Sequence, residues 1–368
     1  MKAEQEKINW WNVNVGEHAA PDIASAIAKG HISQGPITAE FERALAKFLG
    51  VPYTVCTTSG TMALSLSMLA LGVGPGDEVI MPDRTWVASA NAAMLLGAKV
   101  RLVDVLDQGL PIMDTAKIAE AITPATKVIM PVHLNGRGVD MEAVLNIAKK
   151  HGLQVVEDAC PSLGSLHKGR AVGTFGRFGC FSLGMAKVLG TGQGGVVVCH
   201  NESDFNLLSR IRNQGLSGTS MDERHDIRGS NFKFTDIQAA LGLAQIPSLE
   251  KRYDQQKKIH AIYAENLQKT SSIQFIPVDI AGGEIPLRAE GYCQERDRFV
   301  VEMEKRGVAV SPQSLNLSSY PFIGADKNRY PNAQRYSQTM LTLPSGPDQP
   351  LANVERTVEI IHSIDHLF

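Results

Sequence analysis

The chain is predicted to be an α/β protein. A mainly parallel sheet sandwiched by helices forms a large domain, and a smaller α+β domain follows it. Two observations carry that expectation. From Thr38 to about Glu250, apolar strand-like runs alternate with helix-like stretches, the pattern of α/β units around a mainly parallel sheet. Beyond that point the alternation stops. The length, 368 residues, exceeds one ordinary core and suits a large domain plus a smaller one. We place the large domain at 1–250, N-terminal segment included, and the small one at 251–368.

The elements follow in order. "TAEFERALAKFLG" reads as an amphipathic helix capped by Thr38, with Phe41, Leu45 and Phe48 on one face. "YTVCTT" is a short strand, and "SGTMALSLSMLALG" a mostly apolar, buried helix ending at Gly72. "GDEVIMP" and "AKVRLVDV" are strands flanking the helix "WVASANAAMLLG". "TKVIMPVHL" and "LQVVEDA" are strands separated by the helix "MEAVLNIAKKHG"; "RFGCFSL" and "GGVVVCH" complete the set. "DIQAALGLAQIPSLEKRYDQQKKIHAIYAENLQ" reads as one long helix, bent near Pro247. The smaller domain contributes "QFIPVD", "EIPLRAEGY", a helix around "RDRFVVEMEKRG" and a final helix from "LANVERTVEIIHSIDHLF".

Composition narrows the function classes. Formal charge is −2, which offers nothing to attract nucleic acid or a membrane surface. Five scattered cysteines without a C-x-x-C pair read as reduced thiols of a cytoplasmic protein. The first residues lack an apolar leader core, and no apolar run reaches spanning length, so neither secretion nor membrane insertion is expected. His362 and His366 have the i,i+4 spacing of a metal pair, but no motif surrounds them and a solvated face is the expectation.

"FSLGMAKVLGTGQGGVVV" holds two competing signals. Gly190, Gly192 and Gly195 fit G-x-G-x-x-G, yet a β-branched run follows them where a nicotinamide-binding fingerprint requires a helix. They therefore read as a turn, and Lys187, five residues after Ser182, needs its own explanation. Other residues supply it in combination. Ser59, Gly60 and Thr61 stand where a strand hands over to a helix, which is an anion site or simply a serine cap. Asp158 ends a buried strand, as a functional carboxylate or a turn cap. Trp86 lies in "PDRTWVAS". Pyridoxal phosphate needs such a set: a helix N-terminus for its phosphate, a carboxylate for its pyridine nitrogen, an aromatic against the ring and a lysine for the Schiff base.

Six blocks, in order, resemble the DegT/DnrJ/EryC1/StrS sugar aminotransferase family of fold type I pyridoxal-phosphate enzymes. They are "GPITAEFERALAKFLGVPYTV", "SGTMALSLSMLALGVGPGDEVIMP", "VEDACPSLGS", "GCFSLGMAKVLGTGQGG", "IRNQG" and "GSNFKFTDIQAALGLAQ". The resemblance implies an aspartate-aminotransferase-like fold. It also implies Lys187 as cofactor anchor and proton shuttle, Asp158 at the pyridine nitrogen, and Ser59, Gly60, Thr61 and Ser182 at the phosphate, with Trp86 stacked on the ring. It further implies a homodimer with shared active sites, Asn231 reaching the partner's cofactor. The substrates would be small molecules: an amino donor such as L-glutamate and a ketosugar, nucleotide-linked in most of the family, or a keto-cyclitol in some members. Lys187 stands where related dehydratases have His. Dehydration or aldol-type cleavage on the same fold, and a non-catalytic sugar or cofactor sensor, are the alternatives.

Two departures concern the substrate. Leu183, Gly184, Met185 and Ala186 replace the family's bulkier residues before the lysine, which predicts open space there. Pro161 replaces a polar residue near the cofactor's phenolic oxygen. His133 is placed at the site or in a structural role, and one or two of Arg212, His225, Arg228 and Lys233 are expected to touch an anionic substrate.

Overall fold

The computed structural model describes residues 7–107, 109–217 and 222–368. Its main sheet has seven strands: β1 (Tyr53–Thr57), β2 (Glu78–Pro82), β3 (Lys99–Val103), β4 (Thr126–Ile129), β5 (Gln154–Asp158), β6 (Phe178–Ser182) and β7 (Gly195–Cys199). They lie in the order β1-β7-β6-β5-β4-β2-β3. Strands β6, β5, β4, β2 and β3 pair in parallel, and β7 is antiparallel to both its neighbours. Only β7 is reversed, so the C-terminal ends of the other six share one edge of the sheet.

Side chains alternate along each strand, and the two faces take different helices. Val55, Val79, Val128, Val156, Cys180 and Val197 share one apolar cluster with α3 (Gly60–Ala70), α4 (Val87–Met94) and α6 (Glu202–Arg212). Cys56, Phe181, Val196 and Val198 face the other way, against α2 (Pro36–Leu49), and Ile80, Ile129 and Val155 against α5 (Met141–His151). Each fully buried Val or Phe side chain contributes roughly 1.5–3 kcal/mol. The predicted α/β sandwich is therefore observed, with helices on both faces.

A second sheet is wholly antiparallel, in the order β8 (Gln274–Phe275), β9 (Ala289–Tyr292), β11 (Met340–Leu343), β10 (Ser311–Pro312). It packs with α8 (Leu249–Asn266), α9 (Arg296–Glu304) and α11 (Leu351–Ile364) around Ile259, Tyr263, Phe299, Leu341 and Ile361. Ile8 belongs to this cluster and pairs with Val308, although the sequence grouped it with residues 1–250.

Two local expectations are corrected. Thr38 does not cap α2; the helix begins at Pro36, and Thr38 lies within its first turn. The predicted long helix is two helices, α7 (Asp236–Leu243) and α8, separated by a 3-10 turn at Ile246–Ser248. Pro247 has no N–H to continue the ladder, and the Gln245 side chain accepts from Gly190 N and donates to Gly190 O instead. Helices α1 (Ala19–Ala28), α6 and α10 (Pro331–Thr339) and strand β11 escaped the reading. Polar residues dominate α6 and α10, whose apolar faces are narrow.

The cap of α2 comes from a distant element. Asp236, fully buried at the start of α7, accepts from Gly35 N (2.9 Å), Thr38 N (2.8 Å) and Thr38 Oγ1 (2.7 Å). With Ile37 N, which donates to Oδ2 at 3.3 Å, four donors converge on one carboxylate from about 200 positions away in the chain. Asp236→Ala is expected to lower unfolding free energy by about 3 kcal/mol and Asp236→Asn by roughly half as much, since an amide oxygen still accepts. Denaturant titration checks this; a loss below about 1 kcal/mol in the alanine variant would show that α2 finds another cap.

Candidate active site

A cavity of about 650 Å³ opens at the edge where the strand C-termini gather, facing the second sheet. Ser59, Gly60, Thr61, Trp86, Asp158, Ser182 and Lys187 all line it. Seven of the eight sequence-predicted site residues are thus brought together. Asn231 is not among them: it is exposed and forms a bridge with Asn213.

Strand ends explain the convergence. β1 leads through Thr57 into α3, where Ser59 is the N-cap and its Oγ accepts from Met62 N at 3.2 Å. The amides of Gly60 and Thr61, next in the helix, have no acceptor among the described residues. They present two free donors at a positive helix end. Gly60 lies so close to β6 that a Cβ there would meet Ser182 Cβ at 2.9 Å and Cys160 Sγ at 3.0 Å. A cradle of this shape, with free amides and the Ser182 hydroxyl, suits a phosphate.

Asp158 ends β5 and is buried. Its Oδ2 accepts from Ser89 Oγ (2.7 Å), which is within 2.8 Å of Thr85 Oγ1, and its Oδ1 accepts from Cys160 N (3.1 Å). Two donors hold the carboxylate at one angle toward the cavity. Trp86 caps α4 in extended geometry and stays 64% exposed, with a face available for stacking.

Lys187 rides a loop between β6 and β7 that is pinned at both ends. Leu183 N donates to Gly194 O and Thr191 N to Leu183 O, both at 2.8 Å, while Leu183, Val188 and Leu189 enter the core. Burial pulls the Lys187 amine from 10.5 down to about 8; the Arg288 guanidinium adds to the fall and the Asp158 carboxylate opposes it. A substantial fraction is then an uncharged nucleophile near neutral pH. The neighbouring Cys160 thiol is pushed well up by burial, then by Asp158, and stays protonated.

The glycines after Lys187 serve the turn and the sheet. Gly192 has φ +77°, and Gly195 opens β7, where a Cβ would stand 2.2 Å from Ser59 O.

Other candidates fall elsewhere. His133 is fully buried, bonded through Nε2 to Glu157 Oε2 (2.9 Å), with Nδ1 accepting from Val139 N (3.1 Å), and does not line the cavity. Arg212 is committed to Glu42 and Cys56 O inside the core. His225 and Arg228 are exposed, and Lys233 Nζ donates to Asn213 Oδ1 (3.2 Å); none lines this chain's cavity. Residues 183–186 do not open space beside the lysine: Leu183 turns into the core and Met185 points outward, 63% exposed. Pro161 does line the cavity, next to Cys160.

Sequence reading missed Trp10, Asn135, Arg288 and Gln313, which also line the cavity. Arg288 left one trace, a cation in the largely apolar run "IPLRAEGY", two residues before Glu290.

Comparison with known proteins identifies this arrangement. Residues 14–362 match the model of the DegT/DnrJ/EryC1/StrS aminotransferase family. The chain belongs to that family. The aminotransferase is 34% identical to the GDP-perosamine synthase of Caulobacter vibrioides over 288 residues, 76% of each chain. It is 33% identical to the UDP-N-acetyl-3-dehydro-alpha-D-glucosamine 3-aminotransferase of Acidithiobacillus ferrooxidans, covering 88% of each. The PLP form of Spr1654 from Streptococcus pneumoniae superposes with a TM-score of 0.91 at 26% identity, over 96% of this chain and 97% of that one. The aminotransferase is a pyridoxal-phosphate-dependent transaminase of fold type I. No helix among the described residues is long and apolar enough to cross a membrane.

The depressed Lys187 pKa has a stability consequence in the cofactor-free protein. The folded value near 8 lies below the usual 10.5, so the unfolded chain holds more protons between them and stability rises with pH across that window. Below about 8 the penalty of a buried ammonium is constant. Lys187→Met should therefore raise the melting temperature of cofactor-free protein at pH 7, and the gain should shrink from pH 8 to 10.5. A gain independent of pH would assign it to packing instead.

Proposed function

We propose that this aminotransferase moves an amino group from an amino acid, L-glutamate, to a nucleotide-linked ketosugar in aminosugar biosynthesis. The observation that carries the reading is the convergence of Lys187, Asp158 and the α3 N-terminus on one cavity walled by neutral hydrogen-bonding groups. Gln193, Gln313 and Ser314 offer amides and a hydroxyl to sugar hydroxyls, with Trp10 and Trp86 beside them. Relatives named for nucleotide-sugar products support the same acceptor class.

The residues divide the work. Ser182 and the amides of Gly60 and Thr61 bind the cofactor phosphate, and Ser59 fixes the helix end that presents them. Trp86 orients the ring by stacking. Asp158, held by Ser89 and the Cys160 amide, keeps the pyridine nitrogen protonated. The bound cofactor supplies an electron sink for the carbon that carries nitrogen. Lys187 anchors the cofactor and, once free, moves the proton; an amine with a pKa near 8 suits both taking and returning it.

The exposed Asn231 fits a role outside its own cavity. In a two-fold homodimer it would reach the cofactor phosphate of the partner subunit, and each chain would lend one amide and receive one. The absence of any spanning helix among the described residues and the five free thiols suit a cytoplasmic enzyme.

Two experiments follow. Mixing the pyridoxamine form with a panel of ketosugars should regenerate the pyridoxal absorption with nucleotide-linked members; conversion by keto-cyclitols alone would sink the acceptor assignment. For the dimer, Lys187→Ala and Asn231→Ala homodimers, each nearly inactive, are remixed at random. Half the dimers are then mixed, each with one intact site, so roughly a quarter of wild-type activity should return. No recovery despite heterodimer formation would place Asn231 within its own site.

A further inference from the structure

Arg288 lines the cavity from the second sheet, one residue before β9. Its backbone is clamped twice by one side chain: Asn135 Oδ1 accepts from Arg288 N (2.7 Å), and Asn135 Nδ2 donates to Arg288 O (3.0 Å). The guanidinium lies 5.4 Å from the ring centre of Trp10, which fixes its plane. Position and orientation are both constrained, as for a residue that recognises something.

Its own partners are nearly absent. Nε is buried with no acceptor among the described residues, and the side-chain bond it makes, Nη1 to Gln313 Oε1, is 3.5 Å long. Glu290, the nearest carboxylate in the wall, is bound from behind by Arg137 at 2.6 Å, and Arg137 is itself held by the carbonyls of Ile276 and Pro277. Asp158 is occupied by Ser89 and Cys160. Among the lining residues the cations are Lys187 and Arg288, and burial lowers the guanidinium's own pKa. A planar fork with unmade donors, held beside the reactive amine, is a carboxylate site.

The two substrates differ in what they bring near Lys187. An amino acid carries a carboxylate on the very carbon that bears the migrating nitrogen. A ketosugar is uncharged at its reacting carbon, and any diphosphate lies at least a ring away. We propose that Arg288 binds the carboxylate on the reacting carbon of the amino donor, and so selects α-amino acids over simple amines. The proposal rests on the amino-acid donor of the reading above but not on the identity of the acceptor.

The test uses the cofactor-loaded enzyme and two variants, Arg288→Gln and Arg288→Lys; the lysine keeps charge and stem but loses the fork. Glutarate, which has both carboxylates of glutamate and no amine, serves as an unreactive probe, titrated by calorimetry. Its Kd should rise about tenfold to a hundredfold in Arg288→Gln and by less in Arg288→Lys. The preference for L-glutamate over 4-aminobutyrate, which lacks the carboxylate on the reacting carbon, should collapse by a similar factor. The ketosugar KM should move less than threefold. Should the glutamine variant not fold, the lysine variant carries the same comparison. Unchanged glutarate binding and donor preference would overturn the proposal. So would a loss confined to the ketosugar, which would make Arg288 a ligand of the acceptor's phosphates. An enzyme that reacts with L-glutamate through Arg288 but with no ketosugar would support this inference and defeat the acceptor reading.

Discussion

The architecture of the site depends on how closely helix α3 approaches the sheet. Gly195 at the start of β7 lies so near Ser59 that a Cβ would overlap its carbonyl at 2.2 Å, and Gly60 leaves similarly little room against Ser182. Only hydrogen fits at either contact. This puts the first free amides of the helix level with the Ser182 hydroxyl, at an edge where six strands end in the same direction. Displacing α3 by a side chain's width would separate its amides from Ser182, which comes from a different strand. The cradle is thus a consequence of strand and helix packing, which the glycines at the start of β7 and of α3 permit.

The buried charges beside the cavity are held differently from the ion pairs of the core. Away from the cavity, several buried charges are well partnered, although the fully buried Arg84 guanidinium has no hydrogen-bond partner among the described residues. Glu157 accepts from the amides of Gly173, Phe175 and Gly176 and from His133, and Arg212 binds Glu42. Leaving such groups unpaired would cost several kcal/mol each. At the cavity the accounting differs. Lys187 is held at a reduced pKa, Arg288 has donors without acceptors, and two helix amides are free. The free donors at the cavity lie where a charged cofactor and its substrates belong, as expected of a preorganised site.

The second sheet contributes more than a lid. The segment Asp83–Thr85 is laced to residues 315–318: Thr85 N donates to Leu315 O, Leu317 N to Asp83 O, and the Asp83 carboxylate accepts from Ser318 N and Oγ. Burial raises the Asp83 carboxyl to about 6 despite those bonds. The loop that carries Trp86 is therefore tied to the segment that follows Gln313 and Ser314, which couples one wall of the cavity to the other.

The sequence by itself determined the sandwich and the half of the site that belongs to strand ends. Apolar runs alternating with helices have one stable layering, and functional residues at strand C-termini stay near their own strands, so Ser59–Thr61, Asp158, Ser182 and Lys187 were legible from spacing and family blocks. Tertiary structure decided what depends on distant pairs. His133, after a strand, and Arg212, at the end of a helix, read as site candidates because such a side chain looks the same in sequence whether it faces a cavity or a buried carboxylate; only the positions of Glu157 and Glu42 settle which. Thr38 reads as a cap until Asp236, almost 200 residues on, takes that task. Leu183 and Met185 read as cavity wall because spacing to Lys187 says nothing about which way a loop turns its side chains. Trp10, Asn135, Arg288 and Gln313 come from four separate segments, and their convergence is set by the docking of the second sheet, which no local pattern encodes.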